Sequence, residues 1–296
     1  MTQRLPLDRR ALGCMLTLCL VWGVQQVALK ATASAMAPML QIGLRSAIAA
    51  GLVALWMRAR GERISWHAWR AGMLAGGLFA LEYLLVAEAL RHTSAAHTVV
   101  LLYTAPLFAA LGLHLRLPAE RLSRAQWLGI GLAFAGVALA FWGGSTLPAA
   151  WWGDALALLA GLCWGLTTVV IRLTRLASAA PAQTLLYQLL AAALLLPLTA
   201  WAMGLTTVTP TPLLLANLLF QSVLVSFASF LLWFWLLRHY LASRLGVFSF
   251  LTPLIGVALG AWWLGERLEP NFIAGALLVL LGILAVSAQG WLARRG

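Results

Sequence analysis

Long apolar runs recur along the whole chain, and only short connections separate them. A helix of about 20 apolar residues is long enough to cross the roughly 30 Å hydrocarbon core of a bilayer. Only 9% of the 296 residues are charged, whereas a soluble domain carries about 25% charged residues. The sequence therefore predicts an all-α integral membrane protein with no separate soluble domain.

The apolar runs predict ten transmembrane helices. Their approximate bounds are 11–30, 35–57, 68–90, 94–115, 124–142, 152–173, 181–203, 213–237, 243–264 and 270–291. The first run follows three arginines and precedes ATASAMA, a pattern that a cleavable signal peptide shares. A signal core has about 7–15 apolar residues, and this run is longer and contains Gln25 and Gln26. We therefore interpret it as the first transmembrane helix.

The distribution of basic residues predicts the orientation of the chain. If the N-terminus is cytoplasmic, 16 of the 20 lysines and arginines lie at the cytoplasmic ends of the helices, and only Lys30, Arg91 and Arg267 lie at the outer ends. Basic residues concentrate in cytoplasmic loops, so both termini are predicted to be cytoplasmic. The net charge of +12 is thereby explained as a topology signal, and no nucleic-acid partner is expected.

An internal duplication divides the chain into two halves. Residues 89–106 (ALRHTSAAHTVVLLYTAP) align without gaps with 236–253 (LLRHYLASRLGVFSFLTP), so that the Arg-His pairs and the prolines of the two segments coincide. Because each unit has five helices, the second inserts in the opposite orientation. The sequence thus predicts two inverted five-helix repeats, 1–146 and 147–296. Secondary transporters commonly have this architecture, with the substrate site near the bilayer midplane.

An ordered set of short motifs resembles the drug/metabolite transporter superfamily, EamA type. The set consists of Trp22-Gly23 and Lys30 in the first helix, Arg45 in the second, Gly153-Asp154 opening the sixth, a proline within the fourth and ninth, and ERL turns at 120–122 and 266–268. This resemblance covers essentially the whole chain. It implies two EamA repeats, a central cavity lined largely by helices 3, 4, 8 and 9, and export of small metabolites, often amino acids.

The sequence departs from the family pattern at two places. The first ERL turn reads LPAERL, where the family usually has LGERL. Glu82 and Glu88 are outside the common pattern, so the resemblance assigns them no role. Glu88 precedes Arg91 by one helical turn, and the two are expected to pair near the surface.

Polar and aromatic residues at mid-depth are the candidates for a substrate cavity. An ionised carboxylate within the membrane is costly, so Glu82 is a functional candidate by default. The predicted cavity residues are Trp22, Gln25, Glu82, Tyr83, Tyr103, Trp164, Thr168, Ser229, Trp233 and Phe250. The alternative is that the aromatic rings only pack helices together and the hydroxyl groups bond to their own backbone.

Two interpretations of Glu82 stay open. Arg45 lies at a comparable depth, so Arg45 and Glu82 are predicted to form a structural ion pair. Alternatively, Glu82 faces the cavity, where it contacts a substrate amine or titrates during transport.

Pro106 and Pro253 occupy equivalent positions in the two repeats. A proline removes one backbone hydrogen bond and kinks a helix. The kinks are either static features of the packing or hinges for alternating access, and their symmetric placement favours hinges.

The sequence offers no motif for catalysis, a cofactor or a metal. The single lysine, Lys30, lies at a membrane boundary and not in a P-loop, and no GxSxG is present. The histidines lack cysteine or HExxH partners, so no metal site is expected. His97 is expected to be a solvated helix start, with a hydrogen bond at a gate as the alternative. The protein is therefore not expected to be an enzyme.

These observations predict a secondary transporter of the bacterial inner membrane. Its expected substrates are small neutral or hydrophobic metabolites, foremost amino acids including aromatic ones, exported by alternating access. The alternative is a drug, nucleoside or purine exporter of the same superfamily. The expected partners are the small-molecule substrate and the lipid bilayer, and the expected state is a monomer.

Overall fold

The structure, a computed structural model, describes residues 9–116, 122–142, 150–239 and 251–292. Its α-helices are α1 (Arg9–Ala31), α2 (Pro38–Ala59), α3 (Trp69–His92), α4 (Ala95–Leu102), α5 (Ala105–Arg116), α6 (Arg124–Trp142), α7 (Ala150–Leu173), α8 (Pro181–Ala202), α9 (Pro212–Leu219), α10 (Phe230–His239), α11 (Leu251–Leu264) and α12 (Pro270–Leu292). A π-helical segment, Phe220–Ser229, joins α9 to α10. The predicted all-α class is confirmed.

Seven helical stretches of the described residues are long and apolar enough to cross a membrane. They are Arg9–Ala31, Pro38–Ala59, Trp66–His92, Ala95–Arg116, Ala150–Leu173, Pro181–Ala202 and Pro212–Trp233. Three shorter apolar helices are Arg124–Leu139, Leu251–Leu264 and Pro270–Gly282. The protein is therefore a multi-pass membrane protein. The predicted repeat boundary after residue 146, most of the first ERL turn and the start of the ninth predicted helix (243–250) lie outside the described residues.

Proline and glycine set several helix ends. Pro38, Pro181 and Pro212 each stand in the first turn of a helix, where the missing N–H would have had no partner within the helix. Gly61 and Gly204 follow the ends of α2 and α8 with φ of 65° and 69°, a conformation that favours glycine. The positions of these helix ends therefore follow from the local sequence.

Most of the extensive helix–helix contacts join the part before residue 143 to the part after residue 149. Helix α1 packs on α11, α2 on α8, α3 on α7 and α8, and α6 on α12. Small residues allow the closest approaches: a Cβ atom on Gly136 of α6 would lie 2.6 Å from the Gly275 carbonyl oxygen of α12. Small residues at helix interfaces are typical of membrane proteins, because they let the backbones approach each other.

The fourth predicted helix is broken into α4 and α5 just before Pro106. The chain turns at Tyr103 and Thr104, and the Thr104 hydroxyl donates to the Leu101 carbonyl at 2.6 Å. Pro106 has no N–H to continue the helical ladder, and the backbone N–H of Thr104 also donates to the Leu101 carbonyl, at 3.2 Å, so that the chain tightens before the proline. The break lies where the sequence predicts a kink, and its role as a hinge stays a prediction. Pro253 lies in the first described turn of α11, so any kink before it falls outside the described residues.

Many polar side chains are buried inside the helix bundle, and many large apolar side chains are exposed on its outside. Arg45 is 1% exposed and Trp262 is 82% exposed. In a bilayer this distribution places leucine and tryptophan against lipid and leaves the polar groups to find partners inside the protein. The buried polar side chains are therefore the candidates for a functional site.

Candidate functional site

A buried polar cluster lies where α1, α2, α3 and the π-helical segment meet. Arg45 of α2 donates to the Gln221 side-chain oxygen, and its guanidinium carbon lies 4.6 Å from the centre of the Tyr83 ring. Gln25 donates to the Tyr83 hydroxyl at 3.4 Å, and Gln221 donates to the Gln25 backbone oxygen at 2.9 Å. A cation over an aromatic face is attracted by the ring quadrupole. We call Gln25, Arg45, Glu82, Tyr83 and Gln221 the Arg45 cluster.

The π-helical segment contributes a row of buried polar side chains. The segment's buried polar residues are Gln221, Ser222, Ser226 and Ser229. The hydroxyl groups of Ser222 and Ser226 have no hydrogen-bond partner among the residues that the structure describes. Turns of π-helix are rare and are found frequently at functional sites. The segment therefore brings unsatisfied polar groups to the interior from the second half of the chain.

Glu82 belongs to the same cluster but has no counterion within 4.0 Å in the part of the chain that the structure describes. It is 4% exposed, and its Oε2 atom has no hydrogen-bond partner among the described residues. The predicted Arg45–Glu82 ion pair is not among the salt bridges, counted within 4.0 Å, of the described residues. The guanidinium is turned toward Gln221 and Tyr83, so the two charges interact only over a longer distance.

A chain of aromatic rings extends from the Arg45 cluster. The Tyr83 ring centre lies 4.8 Å from that of Phe79, and Phe79 lies 6.4 Å from Phe230. Phe230 lies 6.4 Å from Trp22, and Trp22 lies 5.6 Å from Trp233. These are the tilted and edge-to-face arrangements that aromatic pairs prefer. This row of rings places three predicted cavity residues, Trp22, Tyr83 and Trp233, in one apolar wall beside the Arg45 cluster.

Trp22 is also anchored to the π-helical segment. Its indole N–H donates to the Ser229 hydroxyl oxygen at 2.8 Å, and the Ser229 hydroxyl donates to the Val225 carbonyl at 2.5 Å. The bond spans residues that are 207 apart in sequence. It links α1 to the second half of the chain at the level of the aromatic rings.

The remaining predicted cavity residues differ in their surroundings. Tyr103 is buried at the break between α4 and α5, and its ring meets Trp164 edge to face at 5.1 Å. Thr168 donates to the Trp164 backbone carbonyl at 3.2 Å, which is the local bonding that the alternative interpretation expects. Phe250 lies outside the described residues.

A second buried polar cluster lies at the end of the bundle where α4 begins. The His97 Nδ1 atom is 2.9 Å from Asp154 Oδ2, and Asp154 also accepts from the Thr93 hydroxyl at 2.6 Å. The His97 Nε2 atom is 3.6 Å from Glu269, and the ring stacks on Phe272 with a centroid distance of 3.9 Å. His97 is 5% exposed, so the prediction of a solvated helix start is wrong.

Two charged residues at the same end bind helix termini. The Glu266 carboxylate accepts from the backbone N–H groups of Ala95 at 2.7 Å and Ala96 at 3.0 Å, in the first turn of α4. The Lys30 ammonium donates to backbone carbonyls at the end of α3, including Thr93 at 2.8 Å. Helix dipoles favour an anion at the N-terminus and a cation at the C-terminus. We call Lys30, Thr93, His97, Asp154, Glu266 and Glu269 the His97 network.

Outside the two clusters, Glu88 pairs with a neighbouring arginine. The predicted pairing of Glu88 with Arg91 is confirmed at 2.8 Å. The three cysteines, Cys14, Cys19 and Cys163, all lie within the described residues and are not joined in disulfide bonds. Among the described residues, no group of three or more His, Cys, Asp or Glu side chains could hold a metal ion.

Two buried amides were missed by the sequence reasoning. Gln221 anchors Arg45, and Asn217 donates to Thr32 at 2.9 Å and to Gln41 at 2.7 Å. Asn217 and Gln221 are four residues apart in an otherwise apolar run, a spacing that puts both on one helix face. That spacing was the available signal for a polar face on this span.

The sequence matches a known protein family twice along its length. The sequence model of the EamA-like transporter family matches residues 9–142 and again 151–288. The chain belongs to the EamA-like transporter family. In this EamA-like transporter, Lys30, Asp154 and Glu266, three residues that carried the sequence resemblance, are all members of the His97 network.

Relatives of this EamA-like transporter cover almost its full length. It is 25% identical to the uncharacterized transporter YoaV of Bacillus subtilis (strain 168) over 275 residues, which are 91% of this chain and 94% of YoaV. It is 28% identical over 294 residues, 95% of each chain, to a Salmonella typhimurium protein named "Probable amino-acid metabolite efflux pump". A crystal structure of a protein that is 22% identical matches 98% of this chain and 99% of its own with a TM-score of 0.69, which shows a common fold.

Proposed function

We propose that this EamA-like transporter is a secondary transporter that exports small neutral or hydrophobic metabolites across the bacterial inner membrane. The observation that carries the proposal is the Arg45 cluster, a set of polar and ionisable side chains buried between the two halves of a membrane protein. Polar and ionisable groups in this position are costly and mark transport pathways in many membrane proteins. The family membership of the chain supports the same class of activity.

The proposed architecture is ten transmembrane helices in two inverted repeats, 1–146 and 147–296, with both termini in the cytoplasm. The seven long and three shorter apolar helices support the number of spans. The two successive matches to the family support the repeat. The concentration of arginines at alternate helix ends supports the orientation. Under this orientation the His97 network lies at the outer end.

Alternating access requires that one end of the pathway be closed while the other opens. At the proposed outer end, Val99 of α4 packs against Gly256 of α11, where a Cβ atom would lie 2.9 Å from the valine side chain. The His97 network also joins the two halves, through Asp154, Glu266 and Glu269. These contacts support a state closed toward the outside, with Pro106 and Pro253 as hinges.

The proposed substrates are amino acids, foremost neutral and aromatic ones. The aromatic wall of Trp22, Tyr83 and Trp233 supports an apolar substrate side chain. The name of the Salmonella relative supports an amino-acid metabolite as cargo. A phosphorylated substrate would need several inward Lys or Arg side chains, and Arg45 is the buried basic residue of this cluster. A drug, nucleoside or purine exporter is the second candidate.

Transport by the purified protein in proteoliposomes tests the proposal. A panel of labelled neutral amino acids, nucleosides and cationic dyes would be compared with protein-free liposomes. We expect aromatic and other neutral amino acids to cross fastest. Movement of nucleosides or dyes without any amino acid would assign the second candidate function instead.

A further inference from the structure

We infer that Arg45 and Glu82 are the two charged halves of a binding site for a zwitterion. The inference rests on the proposed transport function and assigns the two residues that would recognise the charged groups of its substrate. The substrate is a free α-amino acid, recognised through both its carboxylate and its ammonium group.

Both charged side chains are buried without a counterion within 4.0 Å among the described residues. Arg45 is 1% exposed and Glu82 is 4% exposed. A buried charge carries a desolvation penalty of several kcal/mol, which only a close partner offsets. The two side chains are close enough to interact electrostatically, yet Arg45 is held away from Glu82 by Gln221 and the Tyr83 ring. The arrangement keeps the two ionisable side chains apart inside the protein.

The unsatisfied atoms match the groups of a zwitterion. Within the described residues, the Arg45 Nε–H donor and the Glu82 Oε2 acceptor have no hydrogen-bond partner, and the Gln26 Oε1 acceptor on α1 has none either. A substrate carboxylate would accept from Arg45, which is suited to carboxylates by its planar fork of donors. A substrate ammonium would donate to Glu82.

Other classes of ligand would pair with only one of the two side chains, Arg45 or Glu82, or with neither. A cation would compensate Glu82 and leave Arg45 uncompensated, and an anion would do the reverse. A neutral nucleoside would compensate neither charge. Leaving a buried charged group unpaired is strongly unfavourable, so the pair discriminates in favour of a molecule that carries both charges.

The surroundings also fit an amino acid with an apolar side chain. Tyr83 lies over Arg45 and continues into the aromatic chain through Phe79 and Phe230 to Trp22. An apolar side chain placed along this wall would be removed from water next to the charged groups. The charged pair would fix the backbone of the substrate, and the rings would accommodate its side chain.

The test is a set of binding measurements with three matched ligands and three proteins. Calorimetric titrations in lipid nanodiscs would use L-phenylalanine, L-phenylalaninamide, which lacks the carboxylate, and 3-phenylpropionate, which lacks the ammonium. In the unmodified protein we expect both analogues to bind at least about 10-fold more weakly than phenylalanine, because each loses one charge-assisted bond.

Two variants test the roles of Arg45 and Glu82 separately, and a third serves as a control. Arg45→Gln should weaken phenylalanine binding about 10-fold or more and leave the amide unchanged. Glu82→Gln should weaken phenylalanine to a similar degree and leave phenylpropionate unchanged. Arg91→Gln removes an arginine at the exposed Glu88 pair and should change none of the affinities.

The outcomes distinguish this inference from the transport function itself. Analogues that bind the unmodified protein within about 3-fold of phenylalanine, or variants that weaken all three ligands equally, would overturn the zwitterion site while transport of phenylalanine stands. If Arg45→Gln does not fold, the Glu82→Gln titrations and the analogue series decide the question. A protein that neither binds nor transports any amino acid overturns the proposed substrate class as well.

Discussion

Replacing Asp154 by alanine should destabilise the protein far more than the same truncation of Glu88. Both carboxylates contact a histidine and a second donor. Asp154 contacts His97 at 2.9 Å and Thr93 at 2.6 Å, and Glu88 contacts His92 at 3.0 Å and Arg91 at 2.8 Å. They differ in burial: the Asp154 side chain is 5% exposed, and that of Glu88 is 19% exposed beside partners that are at least 33% exposed.

The expected loss of stability follows from the hydrogen bonds that each substitution removes. A hydrogen bond to a charged group contributes about 1.5–3 kcal/mol, so the two bonds of Asp154 amount to about 3–6 kcal/mol when their partners stay buried. An ion pair at the surface contributes at most about 1 kcal/mol, because solvent screens it. The Asp154→Ala variant should therefore lose several times more stability than Glu88→Ala.

The assay is thermal unfolding in detergent, followed by size-exclusion chromatography of the heated samples. We expect Tm to fall by on the order of 10 °C in Asp154→Ala and by no more than about 3 °C in Glu88→Ala. Equal shifts in the two variants would show that the His97 network does not join the two halves of the molecule in the way described.

Four further substitutions test other features of the structure. Gly161→Ala would place a Cβ atom 2.8 Å from the Thr104 hydroxyl oxygen and should lower stability by about 1–3 kcal/mol in the same assay. Gly51→Ala, which meets nothing within 4 Å, should be neutral or stabilising by up to about 1 kcal/mol. Trp22→Phe removes the bond to Ser229 and should cost about 0.5–1.5 kcal/mol; an unchanged Tm would argue against this bond. Pro106→Ala should slow substrate exchange several-fold with little change in Kd, and equal effects on both would contradict a hinge.

Features encoded by local sequence were predictable. Helical spans follow from the length of apolar runs, and the Glu88–Arg91 pair follows from a separation of three residues within one helix. The break at Pro106 follows from the missing N–H of proline. Each of these depends only on residues within a few turns of one another.

Features created by contacts between distant segments were not predictable. Arg45 and Gln221 are 176 residues apart, and His97 and Asp154 are 57 apart. A single sequence shows that each side chain is polar and roughly at which depth it lies, but not which partner the packing provides. For this reason Arg45 was matched with the nearest carboxylate at its depth, and His97 was expected to face solvent. The π-helical segment was missed because its residues also fit an ordinary apolar helix.

Solute counterflow in proteoliposomes tests most directly whether this protein carries amino acids by alternating access. Vesicles loaded with unlabelled L-phenylalanine would be diluted into a trace of labelled L-phenylalanine, so that an exchanging carrier accumulates label transiently against its gradient. We predict transient accumulation above the level of protein-free vesicles, and its loss when the vesicles contain no internal phenylalanine. Label uptake that is the same with and without internal substrate would contradict the account.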